Sequence, residues 1–248
     1  MSPRVISSKE AFIVGMNISY CATYFDQVLF AAKLANLNTS SSKMHADKMI
    51  ASIQNMGANF AKRLKEIDQV RGKANFEQID IPSLPPEYYP WAQSTHESFL
   101  EFWPLDDPQG ALFVIGHAIG ALRNGLILIN LSLDFQNNFA IDASTTLQKV
   151  PQRVQLSIEK WDRALKILLH LPQLDMQTTQ ATQMLQQLLS GLREHLNSSL
   201  NMLKQCSETP QISQNLVAFN HKLIQIFANI EPEFLHIFDA APHPDLNS

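Results

Sequence analysis

The chain is expected to fold as an all-α protein, an elongated antiparallel helical bundle of about five long and two or three short helices. Three observations carry that expectation. Apolar residues recur at three- and four-residue spacing through most of the 248 residues. Glycine is scarce, at 8, and several of the 13 prolines stand where the periodic runs begin or stop. No apolar-polar alternation of useful strand length, no internal repeat and no flexible linker interrupts the pattern.

The first helix is expected over residues 8–36, where Ser7 and Glu10 have capping-box spacing: each side chain can bond the other's backbone N–H. A Ser-Thr loop at 38–42 leads to a second helix over 43–71. Met49, Ile50, Ile53, Met56, Phe60, Leu64, Ile67 and Val70 form its apolar stripe, and Gly72 is a plausible C-cap. Residues 73–90 are broken by Pro82, Pro85, Pro86 and Pro90. A short aromatic helix over 91–103 ends at Pro104.

The stretch from Asp107 to Asn138 is the most informative part of the chain. Asp107 has the identity of an N-cap and Pro108 that of a first helical residue. From Gly110 onward the stretch is almost continuously apolar, so it is a buried bundle helix, a membrane segment or the wall of an apolar pocket. Arg123, Asn124 and Asn130 interrupt it, and an Arg near mid-span costs a few kcal/mol (~2.5–3.5) in a bilayer. No basic flank marks an inside end, and the buried core helix is the preferred reading. At about 100° per residue Gly116, Gly120, Arg123, Asn130, Asp134 and Asn137 share one broad face. That face reads as a narrow strip reaching solvent, with the glycines admitting a close neighbour.

Residues 140–150 are ambiguous. Pro151 is expected to open a helix running to 171, stopped by Pro172. Another helix is expected over 175–206, with a stripe of Met184, Leu185, Leu188, Leu189, Leu192, Leu196, Leu200 and Leu203. A further one is expected over 210–230, with Pro232 before a last short turn through 238. The simplest division is a single helical domain over 1–239, with a weak sub-boundary near 138–151 and a disordered tail over 240–248.

Composition excludes more than it selects. The charged share is 17% with a net charge of −4, so Gln and Asn supply much of the polar surface, a character compatible with self-association. The densest basic run, Lys62, Arg63, Lys65, Arg71 and Lys73, is interrupted by Glu66 and Asp68 and reads as a solvated helix face, so nucleic acid is not an expected partner. Cys21 and Cys206 fall in apolar-periodic segments and read as free thiols in a reducing, cytoplasmic setting. The apolar run 11–18 comes directly after Lys9 and Glu10 and reads as a first helix, not a signal peptide.

Chemistry-bearing patterns are weak. No two of the eight histidines are four apart, and the one Glu-x-x-His, Glu233 to His236, has no second copy to pair with, so no metal ligand set is expected. Neither a Gly-x-Ser-x-Gly elbow nor a phosphate-cradling glycine loop occurs. The better lead is polar groups on apolar faces. Asn17, Tyr20 and Tyr24 of the first helix, and His117 and Asn124 of the apolar helix, are expected to point inward, with Ser19, Thr23, Asp26 and Lys33 outward. Two such clusters either line a ligand cavity or satisfy each other as a core network. The aromatic segment with Tyr88, Tyr89, Trp91, His96 and Trp103 is the other lead, as an interaction surface or as a crossover packed on the bundle.

These observations point to a non-catalytic binding or regulatory protein, acting through a helix face or an internal apolar pocket. A protein partner or a homodimer is expected, with an apolar small molecule possible and a membrane not. Two alternatives stay open. One is a helical-bundle enzyme or haem-type cofactor binder using His117, with no cofactor specified by the sequence; the other is a soluble protein that inserts the 111–133 helix into membranes.

Overall fold

The computed structural model describes residues 7–13, 15, 16, 19, 44, 47, 48, 107–140, 142–206 and 210–240. Among them are four long helices: α1 (Pro108–Phe139), α2 (Ser144–His170), α3 (Met176–Gln205) and α4 (Pro210–Asp239). The described residues of the N-terminal segment from Ser8 to Ser19 are helical as well, and no strand occurs among the described residues. The protein is an all-α helical bundle, as its periodicity requires. The aromatic helix expected over 91–103, and nearly all of that expected over 43–71, lie outside the described residues.

α1, α2, α3 and the N-terminal helix begin where local side chains meet their first N–H groups. Asp107 is extended and accepts from Gly110 N, with Pro108 directly behind it. Asp142 accepts from Ser144 N at 2.9 Å and starts α2. Asp175 accepts from Thr178 N at 2.8 Å and starts α3. The capping box forms: Ser7 N donates to Glu10 Oε2 at 2.9 Å, and Glu10 N donates to Ser7 Oγ at 3.2 Å. α1 ends on Ala140, whose left-handed backbone (φ 51°) returns its N–H to Phe135 O.

The principal helix contacts join α1 to α2, α2 to α3, α3 to α4 and α4 back to α1, a closed ring. Neighbours are antiparallel. Gln177 reaches Phe238 while Ser199 reaches Asn220, and Asn130 reaches Asn220 while Asn137 reaches Ser213. The N-terminal segment adds a fifth helix that packs against α1, α3 and α4, with Phe12 over Gly116 and stacked on Phe234 and Ser8 bonded by Thr178. It runs parallel to α1: Phe12 lies over Gly116, Met16 and Ser19 over Gly120, and the Ser19 carbonyl over Asn124.

This fifth element explains why α1 is apolar nearly all round. The helix is long and apolar enough to cross a membrane by length and composition, yet 83% of its most apolar window is buried in the bundle. Leu112, Ile115, Ile119, Leu122, Leu126 and Ile129 have no exposed surface. Each such side chain contributes roughly 1.5–3 kcal/mol relative to exposure. α2, α3 and α4 bury one stripe each in the same core, which takes in Val154, Trp161, Leu185, Leu196, Phe227 and their neighbours.

Four expectations need correction. α2 starts at Ser144, and Pro151 lies inside it. Proline there removes only the bond to the Leu147 carbonyl, while Val150 and Val154 continue the buried stripe across it. α4 likewise runs through Pro232 to Asp239, held by Phe234, whose ring stacks on Phe12 at 3.7 Å between centroids. The polar strip of α1 does not reach solvent as a strip: Gly116 and Gly120 are covered by the N-terminal segment, and Asn130 is buried and bonded to α4. Ser19, expected outside, is 2% exposed because it packs on Gly120.

Candidate functional site

His117 and Asn124, the two inward polar residues expected on the apolar helix, are both buried. Seven residues apart, they lie on the same side of α1 along its seam with the N-terminal segment. Asn124 Nδ2 donates to the Ser19 carbonyl at 2.8 Å, and Ser19 Oγ donates to the Met16 carbonyl at 2.8 Å. Asn17, Tyr20 and Tyr24, the other expected members of this cluster, lie outside the described residues. So do all five of the expected aromatic surface, Tyr88, Tyr89, Trp91, His96 and Trp103.

The seam is closed by backbone. A Cβ on Gly15 would sit 2.1 Å from the Phe113 carbonyl oxygen and 2.9 Å from His117 N, and one on Gly116 would sit 2.2 Å from the Phe12 carbonyl oxygen. The two helices therefore pack glycine against carbonyl in both directions. The space that Gly116 and Gly120 open, which a flat cofactor beside His117 would need, is filled by Phe12, Met16 and Ser19.

A second polar cluster, not anticipated from the sequence, ties three helices together. Ser199 Oγ of α3 donates to Asn220 Oδ1 of α4 at 2.6 Å, and Asn220 Nδ2 donates to Asn130 Oδ1 of α1 at 3.0 Å. Asn130 Nδ2 then reaches the Val217 carbonyl at 3.3 Å. Ser199 and Asn220 have no exposed surface. Each amide uses both a donor and an acceptor inside the bundle, which fixes the register of α1, α3 and α4. At the bundle end that holds the start of the N-terminal segment, Thr178 Oγ1 bridges Asp175 Oδ2 at 2.7 Å and Ser8 Oγ at 3.2 Å. Burial alone would push the Asp175 carboxyl up. The Thr178 backbone and hydroxyl bonds outweigh it and hold the group below the usual carboxylate range.

On the surface, a recess of about 170 Å³ lies between α2 and α3, lined by Gln155, Ile158, Glu159, Asp162, Arg193 and Asn197. Its charges answer one another: Asp162 accepts from Lys166 at 2.6 Å and from Arg193 at 2.7 Å. The Lys166 bond, with the weaker Arg193 bond beside it, keeps the Asp162 carboxyl below its ordinary value against the opposing effect of burial. Burial pushes the Cys206 thiol up, so this free cysteine is not an activated nucleophile. Among the described residues no group of three or more His, Cys, Asp or Glu is placed to hold a metal ion.

The outward crest of α2 is a feature that the denser basic run at 62–73 overshadows in the sequence. Lys149, Arg153, Leu156, Lys160, Arg163 and Ile167 fall within an arc of roughly 80° at about 100° per residue. Lys149, Arg153, Leu156 and Arg163 are exposed, Leu156 by 49%. The signal is present as four cations spaced 4, 7 and 3 along one helix. Comparison of the chain with protein-family models, with curated proteins and with solved structures gives no match.

Proposed function

We propose that this chain is a non-catalytic helical binding or regulatory protein of the cytoplasm that works through an exposed helix face. One observation carries the reading. Among the described residues, the inward amides that would orient a ligand are engaged in holding the bundle together: Asn124 on the Ser19 carbonyl, and Asn130 and Asn220 on each other, with Ser199 on Asn220. Buried amides so engaged would leave a ligand with unpaired groups to displace, at about 1–3 kcal/mol each. Recognition is then left to the surfaces of the outer helices. Native mass spectrometry of the protein purified without denaturation tests this. A bare polypeptide mass, as monomer or dimer, is expected; a small-molecule mass lost on denaturation contradicts it and favours the pocket beside His117.

A second reading, insertion of the 111–133 helix into a membrane, is favoured by the length and apolarity of α1. It requires the N-terminal segment to leave the Gly116 seam. Leakage of dye from vesicles supports this reading, and intact vesicles at neutral and acid pH remove it.

A further inference from the structure

We infer that the outer face of α4 docks a second copy of this chain, α4 against α4 and antiparallel, an inference that rests on the helix-face reading above and names the partner for that face. The spacing comes first. Phe219, Lys222, Ile226, Asn229, Glu233 and His236 follow one another at alternating intervals of three and four residues, a heptad seam. At about 100° per residue they share an arc of roughly 100° and run about 25 Å along the helix. Asn220, Phe227 and Phe234, which hold α4 in its own bundle, lie on the other side.

The seam is open, and its polar members are uncommitted. Lys222, Ile226, Asn229, Glu233 and His236 are exposed, the apolar Ile226 by 39%. Phe219 is half-buried, its ring edge-on to His195 with centroids 6.1 Å apart. Among the described residues, the side chains of Lys222, Asn229, Glu233 and His236 make no hydrogen bond or ion pair. The other charges of α4 are accounted for elsewhere. Asp239 is paired with Lys9, and Glu231 is half-buried on the inner phase of the helix. The seam is therefore left with one cation, Lys222, and one acid, Glu233.

The order of these residues selects the occupant. Turned end for end, the seam is complementary to itself. Lys222 falls opposite Glu233 of the second copy, Ile226 opposite its Asn229, and Phe219 opposite its His236. All three pairings belong to one register, centred between Phe227 and Ala228. A two-fold axis repeats each of them, so both cations and both acids are answered. A parallel copy would set Lys222 on Lys222 and Glu233 on Glu233, and a slip of one heptad breaks both ion pairs. Charges placed in this way set partner, orientation and register. The cationic line of α2, with Lys149, Arg153 and Arg163 exposed, contains no acid and would repel its own copy.

Sedimentation equilibrium of the full chain over ~1–100 μM, at ~0.1 M salt, tests the inference. A monomer–dimer equilibrium is expected. Lys222→Glu sets acid on acid at both ends of the seam and Glu233→Lys sets cation on cation, so each is expected to weaken the dimer about tenfold. The exchanged variant Lys222→Glu/Glu233→Lys is expected to dimerise as the wild type does. An equal mixture of the two single variants is expected to form a heterodimer tighter than either homodimer. Circular dichroism checks that all variants are folded. A wild-type chain that stays monomeric throughout overturns the inference and gives the face to a different protein. A dimer that the single variants leave intact, or an exchanged variant no tighter than the single ones, overturns it as well. None of these outcomes touches the helix-face reading, which falls only if a small molecule is retained inside the bundle.

Discussion

Replacing Gly116 with alanine is the sharpest probe of the parallel seam between the N-terminal segment and α1. In an ordinary helix interior this change stabilises by roughly 1 kcal/mol, because alanine loses less backbone freedom on folding. Here the new methyl would stand 2.2 Å from the Phe12 carbonyl oxygen and 3.2 Å from Met16 N. Both are backbone atoms, so no side chain can swing aside. The helices must part by about 1.2 Å before the first contact reaches the 3.4 Å of ordinary packing. Parting them draws Phe12 off Phe234, whose stacked ring is fully buried. Forced overpacking of this kind costs about 1–3 kcal/mol, enough to outweigh the propensity gain. Gly191→Ala on α3 supplies the control: its Cβ would meet nothing within 4 Å, so it is expected to gain about 0.5–1 kcal/mol. The two variants are to be unfolded in urea and monitored by circular dichroism. Opposite signs are expected; a Gly116→Ala protein as stable as Gly191→Ala would refute the backbone-closed seam.

Asn220→Ala removes the centre of the three-helix network and strands Ser199 Oγ and Asn130 Oδ1, so a loss of at least about 2 kcal/mol is expected in the same assay. Asn130→Ala is expected to cost less in that background than in the wild type, since the Asn220 bond is already gone and only the longer one to the Val217 carbonyl is left to lose. Ser132→Ala is expected to gain about 1 kcal/mol, because its fully buried hydroxyl has no hydrogen-bond partner among the described residues. Asp175→Ala is expected to lose about 1 kcal/mol of helix-cap stability at neutral pH. The folded Asp175 carboxyl titrates below its unfolded value, so its contribution is full above the unfolded pKa of about 3.9 and disappears as pH falls through the lower folded value. The gap between thermal melts of wild type and variant is therefore expected to start narrowing as pH falls below about 4 and to close only below the lowered folded value, and a gap that stays constant throughout contradicts the cap assignment.

Much of the described architecture was readable from the chain because it rests on local rules. The Ser7–Glu10 box, the Asp107-Pro108 start and the leucine stripe of α3 are short-range features, and each is found where expected. Proline misled twice, at Pro151 and Pro232. Its local preference for helix ends was overridden by buried neighbours, Val150 and Val154 in one case and Phe234 in the other. Helical phase alone placed Ser19 outside and the Gly116 strip in water. A one-dimensional pattern does not say that two small-residue faces, 100 residues apart, will cover each other. The network of Ser199, Asn220 and Asn130 was hidden for the same reason: three modest polar residues on three helices meet only through the tertiary fold. The α2 crest was legible in principle, since its cations share one phase of one helix, but a search for dense runs of charge overlooks a helical stripe.

The central claim is that the apolar stretch of this sequence is the structural core of a bundle whose working surface lies outside it. Amide hydrogen exchange of the intact protein, resolved by peptide, measures this most directly. Exchange of α1 amides between Ala111 and Leu133 requires opening of the helix at the middle of the bundle, clasped by α2, α4 and the N-terminal segment. Those amides are expected to be the slowest among the four long helices, while the ends of α2 and α3 at residues 169–178 exchange far sooner. Exchange across Gly116 to Gly125 as fast as at those helix ends would show α1 loosely held, and the account of it as the closed core would be wrong.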